Sequence, residues 1–196
     1  MRRLLLWMAS NTWMRRNIPR LWFARRAVRK FMPGESADDA LKAAAKFQAL
    51  QIPVIFTRLG ENLTRIEDAD ATATAYKELM TSAHERGIPA EMSVKLTQLG
   101  FDIDVERTLA HTQALAEQAA AHDPNEVLWV DMEGSAYTES TIAFYERLKK
   151  THSNTGLCLQ AYLHRTAADV ERLLPLAPKI RLVKGAYKET PSFAWQ

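Results

Sequence analysis

Residues 181–187 read RLVKGAY, an apolar, β-type run that carries two cations, a phenol and a glycine within seven positions. Side chains alternate between the two faces of a strand. Ile180 and Leu182 therefore turn one way, while Arg181, Val183, Gly185 and Tyr187 turn the other. Three earlier runs share this phase. In AEMSVKL (90–96), Val94 and Leu96 oppose Ser93 and Lys95. In EVLWVDME (126–133), Leu128, Val130 and Met132 oppose Trp129, Asp131 and Glu133, and in GLCLQAY (156–162), Leu157, Leu159 and Ala161 oppose Cys158, Gln160 and Tyr162. One apolar and one polar face per strand suits a sheet with helices outside and a ligand-bearing interior.

Together with IPVIFTRL (52–59) these runs predict five strands, separated by segments of helical character, the order expected of βα units around a parallel sheet. Thr64 with Glu67 and Thr166 with Asp169 have capping-box spacing, and Asp104 is placed to open another helix. Gly60, Gly100 and Gly134 follow strands, Gly87 and Gly156 precede them, and only Gly185 falls at a strand's own end. The turn after the first strand, RLGENLT, lacks GxGxxG, and GxxxxGKS/T occurs nowhere, so a (β/α) barrel is favoured over an open dinucleotide-binding sheet. A barrel needs eight units and typically about 250 residues. About five of those eight units are expected here, an incomplete barrel over residues 35–196 preceded by a basic helical arm over residues 1–34.

Nearly half of the 196 residues are apolar, enough for a substantial core. Cys158 is the single cysteine and excludes an internal disulfide, and the five histidines show neither HExxH nor another metal-collecting spacing. A reducing cytoplasm fits this composition. The net charge of +3 is local: residues 1–30 hold nine of the 26 Lys and Arg and no acid. Mixed with Trp7, Trp13 and Trp22, that arm suits an anionic membrane surface or nucleic acid, or else a fold over the main domain; its longest apolar run is far too short to span a bilayer.

One interior would thus gather Lys95, Asp131, Gln160, Arg181 and Tyr187 at the C-terminal ends of the strands, where barrel sites are built. Unpaired buried charges cost several kcal/mol, so these groups are expected to pair with one another or with a ligand. No Ser/His/Asp or Cys/His arrangement is present, and the mixture suggests an anionic small substrate with an electron-accepting cofactor. A Schiff-base lyase or aldolase using Lys95 or Lys184, and a non-catalytic half-barrel that binds membrane or a partner chain, remain open on spacing alone.

VKLTQLG (94–100), DMEGS (131–135), LQAYL (159–163) and RLVKGAYKE (181–189) resemble, in order, the strand signatures of bacterial proline dehydrogenases, and KFMPGES (30–36) and TRLGEN (57–62) resemble that family's N-terminal portion. The resemblance implies a distorted (β/α) barrel that binds FAD, oxidises L-proline to Δ1-pyrroline-5-carboxylate and passes electrons to membrane quinone. It implies that Lys95 pairs with the proline carboxylate and that Tyr187 packs near the proline ring. Asp131 would hold the polar network beside the substrate, and Arg181 would set a cation near the flavin pyrimidine edge. Met132 and Gln160 would contact the flavin, and the stretch Val183, Lys184, Gly185 and Ala186 would line it, with no metal. It further implies a peripheral place on the inner membrane for the N-terminal arm rather than nucleic-acid binding, and a pyrroline-5-carboxylate dehydrogenase as a partner. The family completes its barrel with three more strands and a helix bearing paired arginines, so this chain is expected not to close its barrel or form a competent proline site alone; KETPSFAWQ (188–196) resembles the start of the following linker.

Overall fold

The computed structural model describes Gly34 and residues 36–60 and 63–195. The expected basic arm lies, apart from Gly34, outside the described residues. The chain divides into two compact units between Leu50 and Gln51. In the first, helix α1 (Ala37–Gln48) starts at an N-cap Ser36, whose hydroxyl oxygen accepts from the Asp39 amide at 3.1 Å, with Asp38 and Asp39 in the first turn. An acceptor and two carboxylates there answer the free N–H groups and the positive end of the helix.

The second unit alternates strand and helix: β1 (Val54–Thr57), α2 (Ile66–Glu85), β2 (Ala90–Val94), α3 (Val105–His122), β3 (Leu128–Val130), α4 (Thr138–Lys149), β4 (Thr155–Gln160), α5 (Thr166–Leu173) and β5 (Lys179–Val183). The strands pair parallel in the order β1-β2-β3-β4-β5. Sequential order with a helix between successive strands is the winding of a (β/α) barrel, so the expected architecture is present as a five-strand arc. All five predicted strands exist. Each ends earlier than its apolar run, because the last residues turn out of the ladder to form the loops at the C-terminal mouth.

The apolar phase of β2, β3 and β4 faces the helices, while Leu182 in the apolar phase of β5 is exposed. Met92, Val94 and Leu128 pack with Tyr76, Met80, Leu115 and Ala119, while Val130, Leu157 and Leu159 pack with Ile142, Tyr145, Leu148 and Leu173. Every one of these side chains is essentially buried. At roughly 1.5–3 kcal/mol for each large apolar side chain, this layer is what holds the strand phase fixed. A slip of one residue would send Asp131 and Arg181 into the helix layer.

Three expectations about element ends are corrected. Helix α2 starts after Arg65, which makes no side-chain cap, so Thr64 and Glu67 form no capping box. Helix α5 starts after Arg165, and its Thr166 hydroxyl instead donates to the Gln160 carbonyl at 2.6 Å, fastening the helix start to the end of β4. Gly156 lies within β4 rather than ahead of it, for a reason that belongs to the site below. Asp104 does cap α3, accepting from the Arg107 amide at 2.9 Å.

Asp169 is buried on α5 and is matched by Arg165, whose Nε and Nη2 reach its carboxylate at 2.8 Å. Arg165 and Arg172 both also reach Glu139 of α4, at 2.5 and 2.6 Å. The shared carboxylate ties the two helices together, and these partners hold the Glu139 carboxyl below its ordinary range. Residues after β5 turn back: the Trp195 amide donates to the Tyr162 carbonyl at 2.9 Å, and Ala194 pairs antiparallel with Leu163. None of the helices among the described residues is long and apolar enough to cross a membrane.

Candidate functional site

The face opposite the helix layer carries the polar phase of the strands. Register places Ser93, Trp129, Gly156 and Lys179 in one row across β2 to β5, and Cys158 opposite Arg181 in the row above. Asp131 follows Trp129 by two residues and so shares this face. The β4 positions in these rows are small, Gly156 and Cys158, which leaves the space above β4 to side chains from its neighbours.

Arg181 uses that space. Its guanidinium crosses β4 to form an ion pair with Asp131 through Nη2, and the same nitrogen donates to Ser93 Oγ at 2.9 Å. Ser93 closes the triangle by donating its hydroxyl to Asp131 Oδ1 at 2.6 Å. The pair is largely shielded from water, with 28% of the Arg181 side chain and 17% of that of Asp131 exposed. The Ser93 strand segment is itself fixed, since the buried Tyr76 hydroxyl donates to its carbonyl at 3.1 Å and accepts from the Arg58 amide at 2.9 Å. Burial raises the Tyr76 phenol above its ordinary value, so it serves as a neutral bridge.

Trp129 lies beneath the guanidinium, its ring centroid 5.4 Å from Arg181 Cζ, within cation–π range. Its indole N–H donates to Glu91 Oε2 at 2.6 Å. The ring spreads over Gly156, where any Cβ would run into it. That is why β4 has a glycine in mid-strand.

Higher up, at the loop ends, Gln160 Nε2 donates to the Met132 and Glu133 carbonyls at 3.1 and 2.9 Å. The Met132 side chain packs in the helix-facing core, so a ligand contact from this residue falls to its backbone. Buried Glu133 accepts from the Thr97 amide at 3.1 Å and from its hydroxyl at 2.6 Å. Lys95 follows β2 directly and leads into the short 3-10 turn Leu96–Leu99, with its side chain half-buried.

After β5, the Val183 and Lys184 carbonyls accept from the Ala161 and Tyr162 amides at 2.7 and 3.1 Å. Lys184 and Ala186 are exposed, and Tyr187 is half-buried with its carbonyl accepting from Tyr162 O–H at 3.0 Å. Gly185 sits at φ +109, a left-handed conformation that disfavours side chains, and a Cβ there would enter the Tyr162 ring. The chain's own geometry thus requires a glycine at 185. Glu189 then accepts from the Ser135 amide at 2.8 Å and its hydroxyl at 2.5 Å, joining the loop after β5 to the loop after β3.

Arg181 and Asp131, both predicted, are brought into direct contact, and Gln160 is fixed to the backbone beside Met132. Lys95, Val183, Lys184, Gly185, Ala186 and Tyr187 all lie at the strand ends and following turns. Ser93, Trp129 and Glu91 complete the cluster but were not singled out as site residues. Their signal was phase: Ser93 and Trp129 were already assigned to the inward face, and Glu91 precedes Ser93 by two. Among the described residues no group of three or more His, Cys, Asp or Glu is arranged to hold a metal.

A parallel βα arc in sequential strand order, with a paired cation and carboxylate on its inner face, defines a protein of the (β/α)-barrel class. The family model for proline dehydrogenase matches residues 40–192. Proline dehydrogenase 1 of Bacillus subtilis subsp. natto is 31% identical over 171 residues, covering 87% of this chain and 56% of that protein. Proline dehydrogenase of Deinococcus radiodurans is 30% identical over 173 residues, covering 85% of this chain and 54% of that protein. In structure, the chain resembles proline utilization A from Bdellovibrio bacteriovorus inactivated by N-propargylglycine, with a TM-score of 0.68 at 22% identity, over 79% of this chain and 20% of that one. This chain belongs to the proline dehydrogenase family, and it spans a little over half the length of the curated relatives it matches.

Proposed function

We propose that this chain supplies the first βα units of an FAD-dependent dehydrogenase that oxidises L-proline to Δ1-pyrroline-5-carboxylate and delivers electrons to a quinone. The observation that carries the reading is the Arg181 cluster: a cation fixed by Asp131 and Ser93 on the inner face, with its buried Nε left without a partner among the described residues. A buried donor of this kind costs about 1–3 kcal/mol when unmet, which favours a ligand acceptor beside it. The residues fit the cofactor: a fixed cation with an unmet donor and a backbone-anchored Gln160 are the kinds of groups that take a flat, oxygen- and nitrogen-edged ring system.

In this reading Arg181 would help hold the flavin, and its fixed positive charge would favour the cofactor's acceptance of electrons. Bound there, FAD supplies a two-electron acceptor for the hydrogen leaving the substrate carbon next to nitrogen. Gln160, the backbone of Met132, and the turn Val183, Lys184, Gly185 and Ala186 border the cofactor. Lys95 pairs with the proline carboxylate, a charge-assisted contact that orients the ring, and Tyr187 packs against that ring. Asp131 keeps Arg181 in place and holds the polar network on the substrate side. The basic stretch 1–34 brings the enzyme to the inner membrane surface and its quinone, residues 35–196 supply the barrel's part, and a pyrroline-5-carboxylate dehydrogenase consumes the product in the cytoplasm.

The test is the protein expressed from its own gene and its Arg181→Met variant, compared by flavin occupancy and by the rate at which L-proline bleaches the bound flavin. Wild type is expected to purify yellow and bleach, and the variant to lose occupancy or bleach at least about tenfold more slowly, the loss expected when one electrostatic group is removed from a transition state. A folded, colourless wild type would sink the reading.

A further inference from the structure

The contacts of Asp131 and Ser93 with Arg181 both fall on Nη2. Contacts on one nitrogen fix that atom but leave the guanidinium plane free to swing about it. A second constraint is needed to hold Nε at one place, and the element beneath provides it. The Trp129 ring lies 5.4 Å from Arg181 Cζ, is tied through its own N–H to Glu91 at 2.6 Å, and is bedded on the bare backbone of Gly156. Glu91, Trp129 and Arg181 therefore form a stack rising from the lower part of the inner face to the level of Asp131.

We propose that Trp129 is a positioning residue, an aromatic floor that sets the plane of the Arg181 guanidinium so that its Nε–H is held for an acceptor atom of the bound cofactor; this rests on the flavin reading given above. The ring does not touch the chemistry. It acts through Arg181, and it is itself fixed by Glu91 and by the space that Gly156 leaves. Aromaticity at 129 is what the role requires, since a flat face with negative charge density attracts the cation, whereas an aliphatic side chain of similar bulk does not.

The readout is the Arg181 Nε–H resonance in protein labelled with 15N-arginine, assigned by its loss in Arg181→Lys. A buried, immobile Nε–H exchanges slowly with solvent, and loosening the guanidinium speeds exchange. Trp129→Leu is expected to speed it about tenfold or more, while Trp129→Phe, which restores a ring face, stays within about twofold of wild type. If Trp129→Leu fails to fold, Glu91→Leu carries the test, because it keeps the ring but removes its tether and is expected to speed exchange in the same direction. Unchanged exchange in a folded Trp129→Leu or Glu91→Leu protein overturns the floor. Added FAD is expected to shift the wild-type resonance. No shift with FAD, together with faster exchange in Trp129→Leu, removes the flavin reading and leaves the floor standing; a shift with FAD but unchanged exchange does the reverse.

Discussion

Ser93 is a small residue with two jobs, since one hydroxyl accepts from Arg181 and donates to Asp131. Ser93→Ala is therefore expected to cost about 1 kcal/mol, the value of one net hydrogen bond, and Asp131→Ala about 1–3 kcal/mol because it strands a mostly buried cation. Urea unfolding midpoints give both values, and equal effects would mean that the carboxylate does not hold the pair. Glu126, half-buried just ahead of β3, makes a second residue-level prediction. Burial first, then the nearby carboxylates of Glu91 and Asp123, push its pKa up from the ordinary glutamate value of 4.5 to about 7. Between those values the folded state binds more protons than the unfolded one, so stability falls as pH rises from about 4.5 to about 7 and stays lowered above that. In Glu126→Gln this part of the slope disappears, and the variant is more stable than wild type at pH 8; comparing urea midpoints at pH 5 and pH 8 decides it. None of this was legible in the sequence, where Glu126 is one acid among 23.

At the scale of elements, strand phase was readable because it is a local property: alternation assigns a face to each residue before any tertiary contact exists. Strand ends and caps were not, since they depend on what lies alongside. Thr166 has capping-box spacing with Asp169, yet its hydroxyl goes to the Gln160 carbonyl and Asp169 goes to Arg165. Arg165→Met is accordingly expected to destabilise by about 1–3 kcal/mol by leaving the buried Asp169 carboxylate unmatched. A calorimetric midpoint unchanged from wild type would show that water replaces the arginine without cost. The glycines teach the same lesson. Gly156 looked like a turn residue and is in fact the seat of the Trp129 ring, and Gly185 answers to a positive φ and to Tyr162. Gly156→Ala and Gly185→Ala are each expected to destabilise by at least about 1 kcal/mol, the second also displacing the turn that follows β5. Thermal melts of the two variants beside an alanine change at exposed Gly87 would separate steric conflict from backbone strain, because Gly87 has positive φ but open space around it.

For the molecule as a whole, the parallel arc and its polarity were legible, and the reason is that four separate strands repeat one pattern in phase. A site that forms between strands was legible only as a list of candidate residues on one face and at the strand ends. Arg181 and Asp131 stand fifty positions apart, and nothing local indicates that Ser93 touches both or that an uncharged tryptophan supports them. Under the proposed function the cluster gains a chemical meaning, a fixed cation for a flavin with a carboxylate keeping it in place. The measurement that bears most directly on this is anaerobic mixing of the protein expressed from its whole gene with L-proline while the visible flavin absorption is followed, in wild type and in Arg181→Met. Bleaching in wild type, with occupancy or rate lost in the variant, is the predicted result. A folded protein without flavin, or a variant that binds flavin and bleaches like wild type, would contradict it.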